Sequence, residues 1–186
     1  MNAVSVFPFV LFNSNNDTSV TEPRIKPGTL CVRDDAGGYR VATADELIQG
    51  ALEFVAERMM AGPTLTNPRS TREYLALKLA GLPFEIFGLL HLDNRNRVLA
   101  CEELFRGTID GATVHPREVV KSVLDKSSCA VILYHNHPSG VAEPSQADEL
   151  ITRRLRDALA LIDVKVLDHL VIGGATVESF AERGLL

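Results

Sequence analysis

The sequence predicts an α/β or α+β sandwich, one mixed sheet with helices packed on it. Three observations carry this. From Phe84 onward, β-like runs and helical periodicity follow one another in the order β-β-α-β-α-β-β. The run Cys129-Ala130-Val131-Ile132-Leu133-Tyr134 is apolar throughout and reads as a buried strand. The composition, 46% apolar and 23% charged over 186 residues, is that of a globular chain with enough apolar surface to build a core.

In chain order, residues 13–28 are polar and turn-forming and are expected to be a loop or partly disordered. Thr29–Arg33 and Tyr39–Val41 flank Asp34-Asp35-Ala36-Gly37-Gly38, which predicts a small hairpin. Thr43-Ala44-Asp45-Glu46 has capping-box spacing, and Leu47, Ile48, Ala51, Leu52, Val55 and Met59 recur at helical steps until Gly62-Pro63. Asn67 before Pro68 predicts a second helix start, with the helix running to about Ala80 and stopping at Gly81. Two strands, 84–92 and 97–102, are expected around Asp93-Asn94-Arg95-Asn96, and 104–114 is less regular. A helix is expected from Pro116 to about Lys126, with Val119, Val120, Val123 and Leu124 on one face. The strand at 129–134 follows, then a helix from about Ser145 to Leu161, a strand from Val164 to Ile172 and a short one at 176–180. Residues 1–67 thus form an N-terminal extension, and 68–186 the main domain.

The net charge of -5 argues against a strong nucleic-acid footprint. Arg153, Arg154 and Arg156 form the one basic cluster; Arg153 and Asp157 at i,i+4 spacing make a solvated helix face the expectation. Cys31, Cys101 and Cys129 are odd in number and scattered, so neither a disulfide framework nor a cysteine zinc site follows. Cys129 opens an apolar run and is expected to be a buried thiol. The N-terminus lacks a basic region and contains Pro8, and no apolar run reaches the roughly 18–20 residues of a membrane span. The expectation is a soluble cytoplasmic protein with no membrane partner.

The chemistry concentrates in His135-Asn136-His137-Pro138-Ser139-Gly140 and continues through Ser145 to Asp148. In an extended chain the period of two puts both imidazoles on one side and Asn136 on the other. Asp148 lies one turn into the following helix, so its carboxylate can turn back toward them. Two imidazole nitrogens and one carboxylate oxygen leave a tetrahedral zinc one open position for water. Each part has a plainer reading: Ser145-Gln146-Ala147-Asp148 fits a capping box, and H-x-H pairs occur as ordinary loop residues. Their coincidence at a strand-to-helix crossing favours a metal.

His135-x-His137, seven residues, Ser145, two residues, Asp148 resembles the JAMM (MPN-plus) metalloprotease motif. Glu102-Glu103-Leu104-Phe105-Arg106-Gly107-Thr108, His115-Pro116-Arg117-Glu118-Val119-Val120 and Leu167-Asp168-His169 make residues 68–186 similar to the RadC-type branch of that JAB/MPN superfamily. The resemblance implies a cytidine-deaminase-like α/β/α sandwich with one zinc held by His135, His137 and Asp148. It implies Ser145 as the serine that helps hold the oxyanion. It also implies an upstream glutamate as general base, for which Pro83-Phe84-Glu85-Ile86-Phe87-Gly88 designates Glu85, with Glu102 and Glu103 as alternatives; the plain reading of Glu85 is an exposed residue on an edge strand. The implied activity is hydrolysis of a peptide or isopeptide bond in a peptide or protein substrate.

Asp168 and His169, adjacent on a strand, face opposite sides, and either could orient a ligand or be satisfied by backbone. His91 and His115 lack a partner pattern. The competing class is a DNA-repair-associated or DNA-binding accessory protein using the domain as an interaction module. Residues 1–67 lack the helix-hairpin-helix glycine pattern of many RadC-type chains, which weakens it. A metal-free scaffold would have lost ligands that are all present here. A zinc nucleoside deaminase would need a P-C-x-x-C that this chain lacks.

Overall fold

The computed structural model describes residues 10–11, 30–33, 39–61, 68–107 and 113–186. The expected loop at 13–28, the turn at 34–38, the stop at Gly62-Pro63 and the Asn67 cap lie outside them. The chain divides into two compact units, Met1–Glu53 and Phe54–Leu186.

In the first unit, β1 (Val10–Leu11), β2 (Leu30–Arg33) and β3 (Tyr39–Val41) form a three-stranded antiparallel sheet in that order. The β2–β3 pair is the expected hairpin; β1 was not signalled by its short sequence. Helix α1 (Ala44–Ala61) begins in this unit, and the division falls within it. Its start is the expected capping box. Glu46 N donates to Thr43 Oγ1 at 3.3 Å, and Thr43 N donates to Glu46 Oε2 at 2.9 Å.

The second unit is an α/β/α sandwich. It contains α2 (Pro68–Leu79), β4 (Ile86–Leu92), β5 (Val98–Arg106), α3 (Pro116–Asp125), β6 (Ala130–Asn136), α4 (Gln146–Ala160), β7 (Lys165–Gly173) and β8 (Thr176–Ser179). The sheet order is β5-β4-β6-β7-β8. Only β6 and β7 pair in parallel, because α4 connects them as a crossover; the other neighbours are antiparallel. The sheet is therefore mixed.

Strand alternation sorts the core onto two faces. On one, Leu75 and Leu79 of α2 cover Ile86, Leu90, Tyr134, Leu170 and Ile172. On the other, Val119 and Val123 of α3 with Leu155 and Leu159 of α4 cover Phe87, Leu89, Val131 and Leu133. Strand β4 is buried at every position, as an interior strand between β5 and β6 must be. Asp93 shapes the β4–β5 turn, its Oδ1 accepting from Arg95 N at 2.8 Å and Arg97 N at 2.9 Å.

Four expectations change. Strand β5 continues to Arg106, through a register shift opposite Phe87 and Gly88. Strand β6 runs on through His135 and Asn136, so the first histidine belongs to the sheet. Cys129 is exposed rather than buried: it stands one residue before β6, where its backbone bridges Leu92 and Lys165 but the helices no longer cover the side chain. Arg153 pairs with Glu149 rather than Asp157, and Asp157 pairs with Arg156. An acid one turn N-terminal to its cation is the better-oriented helical pair.

One packing detail fixes the centre of the sheet. Tyr134 is fully buried, lies across Gly88 of β4, and donates its hydroxyl to Glu102 O of β5 at 3.0 Å. A β-carbon at Gly88 would fall on the Tyr134 ring and the Glu102 carbonyl. Gly88→Ala is therefore expected to lower unfolding stability by about 1–3 kcal/mol, read as a shift in the urea midpoint.

Candidate metal centre

The site forms where β6 ends and α4 begins. His135, on β6, points to the α3/α4 face of the sheet and is 1% exposed. Asn136 points to the opposite face. His137 is the first residue past the strand, and its backbone N–H donates to Ile172 O of β7 at 2.8 Å. That bond keeps the chain extended for one more step, which returns the second imidazole to the side of the first.

The chain then turns at Gly140 (φ 81°) and lies along the end of β7. Gly173 makes this possible, since a β-carbon there would collide with the backbone of Val141 and Ala142. The turn delivers Val141 O to His137, whose Nδ1 donates to it at 2.8 Å.

Helix α4 opens on Ser145 as N-cap. Asp148 N donates to Ser145 Oγ at 3.2 Å, and Ser145 N donates to Asp148 Oδ2 at 2.7 Å. The capping reading of this motif is thus present in full, and it coexists with convergence on the histidines. Asp148 Oδ1 lies 3.3 Å from His135 Nε2, Asp148 Oδ2 lies 3.5 Å from His137 Nε2, and the two Nε2 atoms stand 2.9 Å apart. Among the described residues these three are the group of His, Cys, Asp or Glu side chains able to close on one ion, with all ligand atoms within 4.8 Å of one another.

The donor set fits a divalent metal. His137 Nδ1 is committed to a carbonyl, so in the neutral ring Nε2 carries the lone pair. That lone pair faces another imidazole nitrogen and a carboxylate. Such crowding of acceptors is relieved by a cation among them. The electrostatics agree. Burial works against ionisation of Asp148, yet its contacts with His135, His137 and Ser145 hold its carboxyl well below the usual carboxylate range. Asp148 in turn raises the His137 pKa against burial, with the Val141 carbonyl and the Glu85 charge adding to it.

The three glutamates raised by the sequence separate in space. Glu85 lines a cavity of about 650 Å³ together with His137, Ser145 and Asp148. It precedes interior strand β4 and is half-buried, not an exposed edge residue. Asn136 fixes the backbone on either side of it: Ile86 N donates to Asn136 Oδ1 at 2.8 Å, and Asn136 Nδ2 donates to Phe84 O at 3.1 Å. Glu102 instead accepts from Ser122 Oγ at 2.5 Å and lies 3.1 Å from His91 Nε2. Glu103 pairs with Lys78 at 3.1 Å. Neither lines the cavity.

Asp168 and His169 do face opposite ways. Asp168 accepts from His169 N, Ser179 Oγ and Ala181 N, which ties down the C-terminal turn. His169 is fully buried beside His135, its Nε2 at 2.8 Å from His135 Nδ1. Burial, with His135 next to it, pushes its pKa well down. His91, given no role from sequence, is fully buried between Ser128 and Glu102. His115 precedes α3 and packs edge-on to Phe105. Arg154, read only as one of a basic cluster, lines the cavity with Phe87, Val114, Leu150 and Ile151. No helix among the described residues is long and apolar enough to cross a membrane.

The RadC-like JAB domain family matches residues 65–185. The chain is 57% identical over 150 residues to a UPF0758 protein of Thioalkalivibrio sulfidiphilus, covering 81% of this chain and 67% of that one. It is 56% identical over 155 residues to a UPF0758 protein of Nitrosococcus oceani, covering 81% and 69%. A UPF0758 protein of Vibrio cholerae is 55% identical over 142 residues, covering 76% of this chain and 90% of the relative. Together with the α/β/α sandwich and the His135, His137 and Asp148 cluster at the end of β6, these matches establish that the chain belongs to the RadC-like JAB domain family.

Proposed function

We propose that this protein is a zinc-dependent hydrolase of the JAMM type that cleaves a peptide or isopeptide bond. The observation that carries the reading is the convergence of His135 Nε2, His137 Nε2 and the Asp148 carboxylate at one end of a cavity that Glu85 also lines. When bound there, zinc would supply a water acidified to near neutral pH and a Lewis acid for a carbonyl oxygen.

The chain's own residues divide the remaining work. Glu85 takes a proton from the attacking water and passes it to the leaving amine as the C–N bond breaks and the new C–O bond forms. Ser145 Oγ donates to Asp148 Oδ2 at 2.6 Å. With a metal held by His135, His137 and Asp148, Ser145 would stand beside the carboxylate as a donor able to turn toward the developing oxyanion. Phe87, Val114, Leu150 and Ile151 give the cavity an apolar wall. Arg154 in that wall suits a substrate segment with an acidic side chain or a carboxylate.

A role as a DNA-binding module is less well supported. Two of the three clustered arginines are engaged by neighbouring acids, and the chain is acidic overall. Binding to a DNA duplex that falls steeply with salt would favour that role instead.

Metal analysis of metal-replete purified protein is expected to find one zinc per chain in the wild type and none in His137→Ala; a zinc-free wild type would sink the catalytic reading. Bound zinc must displace the proton that His137 keeps to a higher pH than an ordinary histidine. Apparent zinc affinity is therefore expected to go on rising with pH beyond about 6.5 and to level off above the raised value. Glu85→Gln is expected to keep zinc and lose turnover by roughly 10²–10⁴-fold, measured on a peptide or isopeptide library. Ser145→Ala is expected to cost about 1 kcal/mol of stability as a lost N-cap and, separately, roughly 10²–10³-fold in turnover.

A further inference from the structure

A hydrogen-bond chain links two of the candidate ligands behind the site, and its direction can be worked out atom by atom. Thr152 Oγ1 lies 2.5 Å from Asp148 O and 2.6 Å from His169 Nδ1. The Asp148 carbonyl can only accept, so the single hydroxyl hydrogen of Thr152 goes to it. The contact with His169 then needs its hydrogen from the other side, so His169 Nδ1 donates to Thr152 Oγ1. In the neutral ring that leaves His169 Nε2 as an acceptor. Its partner, His135 Nδ1, at 2.8 Å, must therefore donate. With Nδ1 protonated, the lone pair of His135 sits on Nε2, the atom that faces His137 and Asp148.

The packing leaves no freedom for another arrangement. His169 is fully buried and Thr152 is 1% exposed. The His169 ring is stacked on Phe180 at 4.7 Å and met edge-on by Phe87 at 5.5 Å. A ring flip would bring a carbon against Thr152 or His135 and lose a buried hydrogen bond.

We infer that His169, oriented by Thr152, is a positioning residue that locks His135 in the Nδ1-protonated tautomer and so aims its Nε2 lone pair at the metal position. Because Thr152 holds the backbone carbonyl of Asp148, the same chain ties the first histidine to the carboxylate ligand. The inference rests on reading His135, His137 and Asp148 as metal ligands, but the tautomer itself can be read without any metal.

The test uses chelator-treated, ¹⁵N-labelled full-length protein at alkaline pH, with long-range ¹H–¹⁵N spectra of the imidazoles. His135 is expected in the Nδ1–H form in the wild type, and in a mixture of forms in Thr152→Val. Zinc affinity is then measured by competition with a chromophoric chelator. His169→Leu is expected to lose roughly 10–100-fold. His169→Gln, whose amide can accept from His135 and donate to Thr152, is expected to stay within a few-fold of the wild type. An Nε2–H tautomer in the metal-free wild type would overturn the inference. So would a folded His169→Leu with unchanged zinc affinity. A wild type that takes up no zinc yet shows the Nδ1–H tautomer would refute the metal reading while upholding the lock.

Discussion

The constraint on which the site depends is the two-residue period at the end of β6. Three successive side chains leave the strand in alternating directions, and each meets a different part of the fold. His135 enters the α3/α4 face, Asn136 the α2 face, and His137 returns to the first side just past the sheet. Asn136 reaches across to the backbone at Phe84 and Ile86. The strand end that places the imidazoles therefore also places the residue between those two, Glu85. A one-residue slip of β6 against β4 would exchange the faces and dismantle both halves together.

Much of this was legible in the sequence because it is local. Capping boxes at Thr43 and Ser145, a proline opening α3 and a glycine ending α2 are read from neighbouring residues. The H-x-H spacing implied a shared side as soon as the segment was taken as extended. What was not legible depends on register between distant strands. Glu85, Glu102 and Glu103 are equivalent as letters. Only the β4–β5 and β4–β6 pairings send Glu102 to His91 and Ser122, Glu103 to Lys78, and leave Glu85 facing the cavity. Cys129 misled for a related reason: an apolar run does not say where helical cover stops. The link from His169 to Thr152 spans 17 residues and joins a strand to a helix, so no spacing rule reveals it.

The electrostatic design follows from burial. The inner part of the site, His135 and His169, is closed to water and holds its protons in a fixed order. The outer part, His137 and Asp148, keeps some solvent exposure, and Asp148 lies in the first turn of α4, where the helix dipole favours a carboxylate. Under the proposed function, ligand geometry is set by the dry side, and exchange with solvent and substrate is left to the wet side.

Gly173 separates what this fold can vary from what it cannot. Because β7 brushes the backbone at Val141 and Ala142 there, the loop that braces His137 has no room to lengthen or thicken without moving that imidazole. The opposite wall is built from side chains rather than from close-packed backbone: Leu150 and Arg154 project from one side of α4, and Val114 from the segment before α3. Diversification of what the cavity accepts can proceed along that helix while the corner formed by His135, His137 and Asp148 stays fixed. Under the proposed function, a change of substrate would be written at Val114, Leu150 and Arg154, while the seven-residue spacer between His137 and Ser145 holds its length.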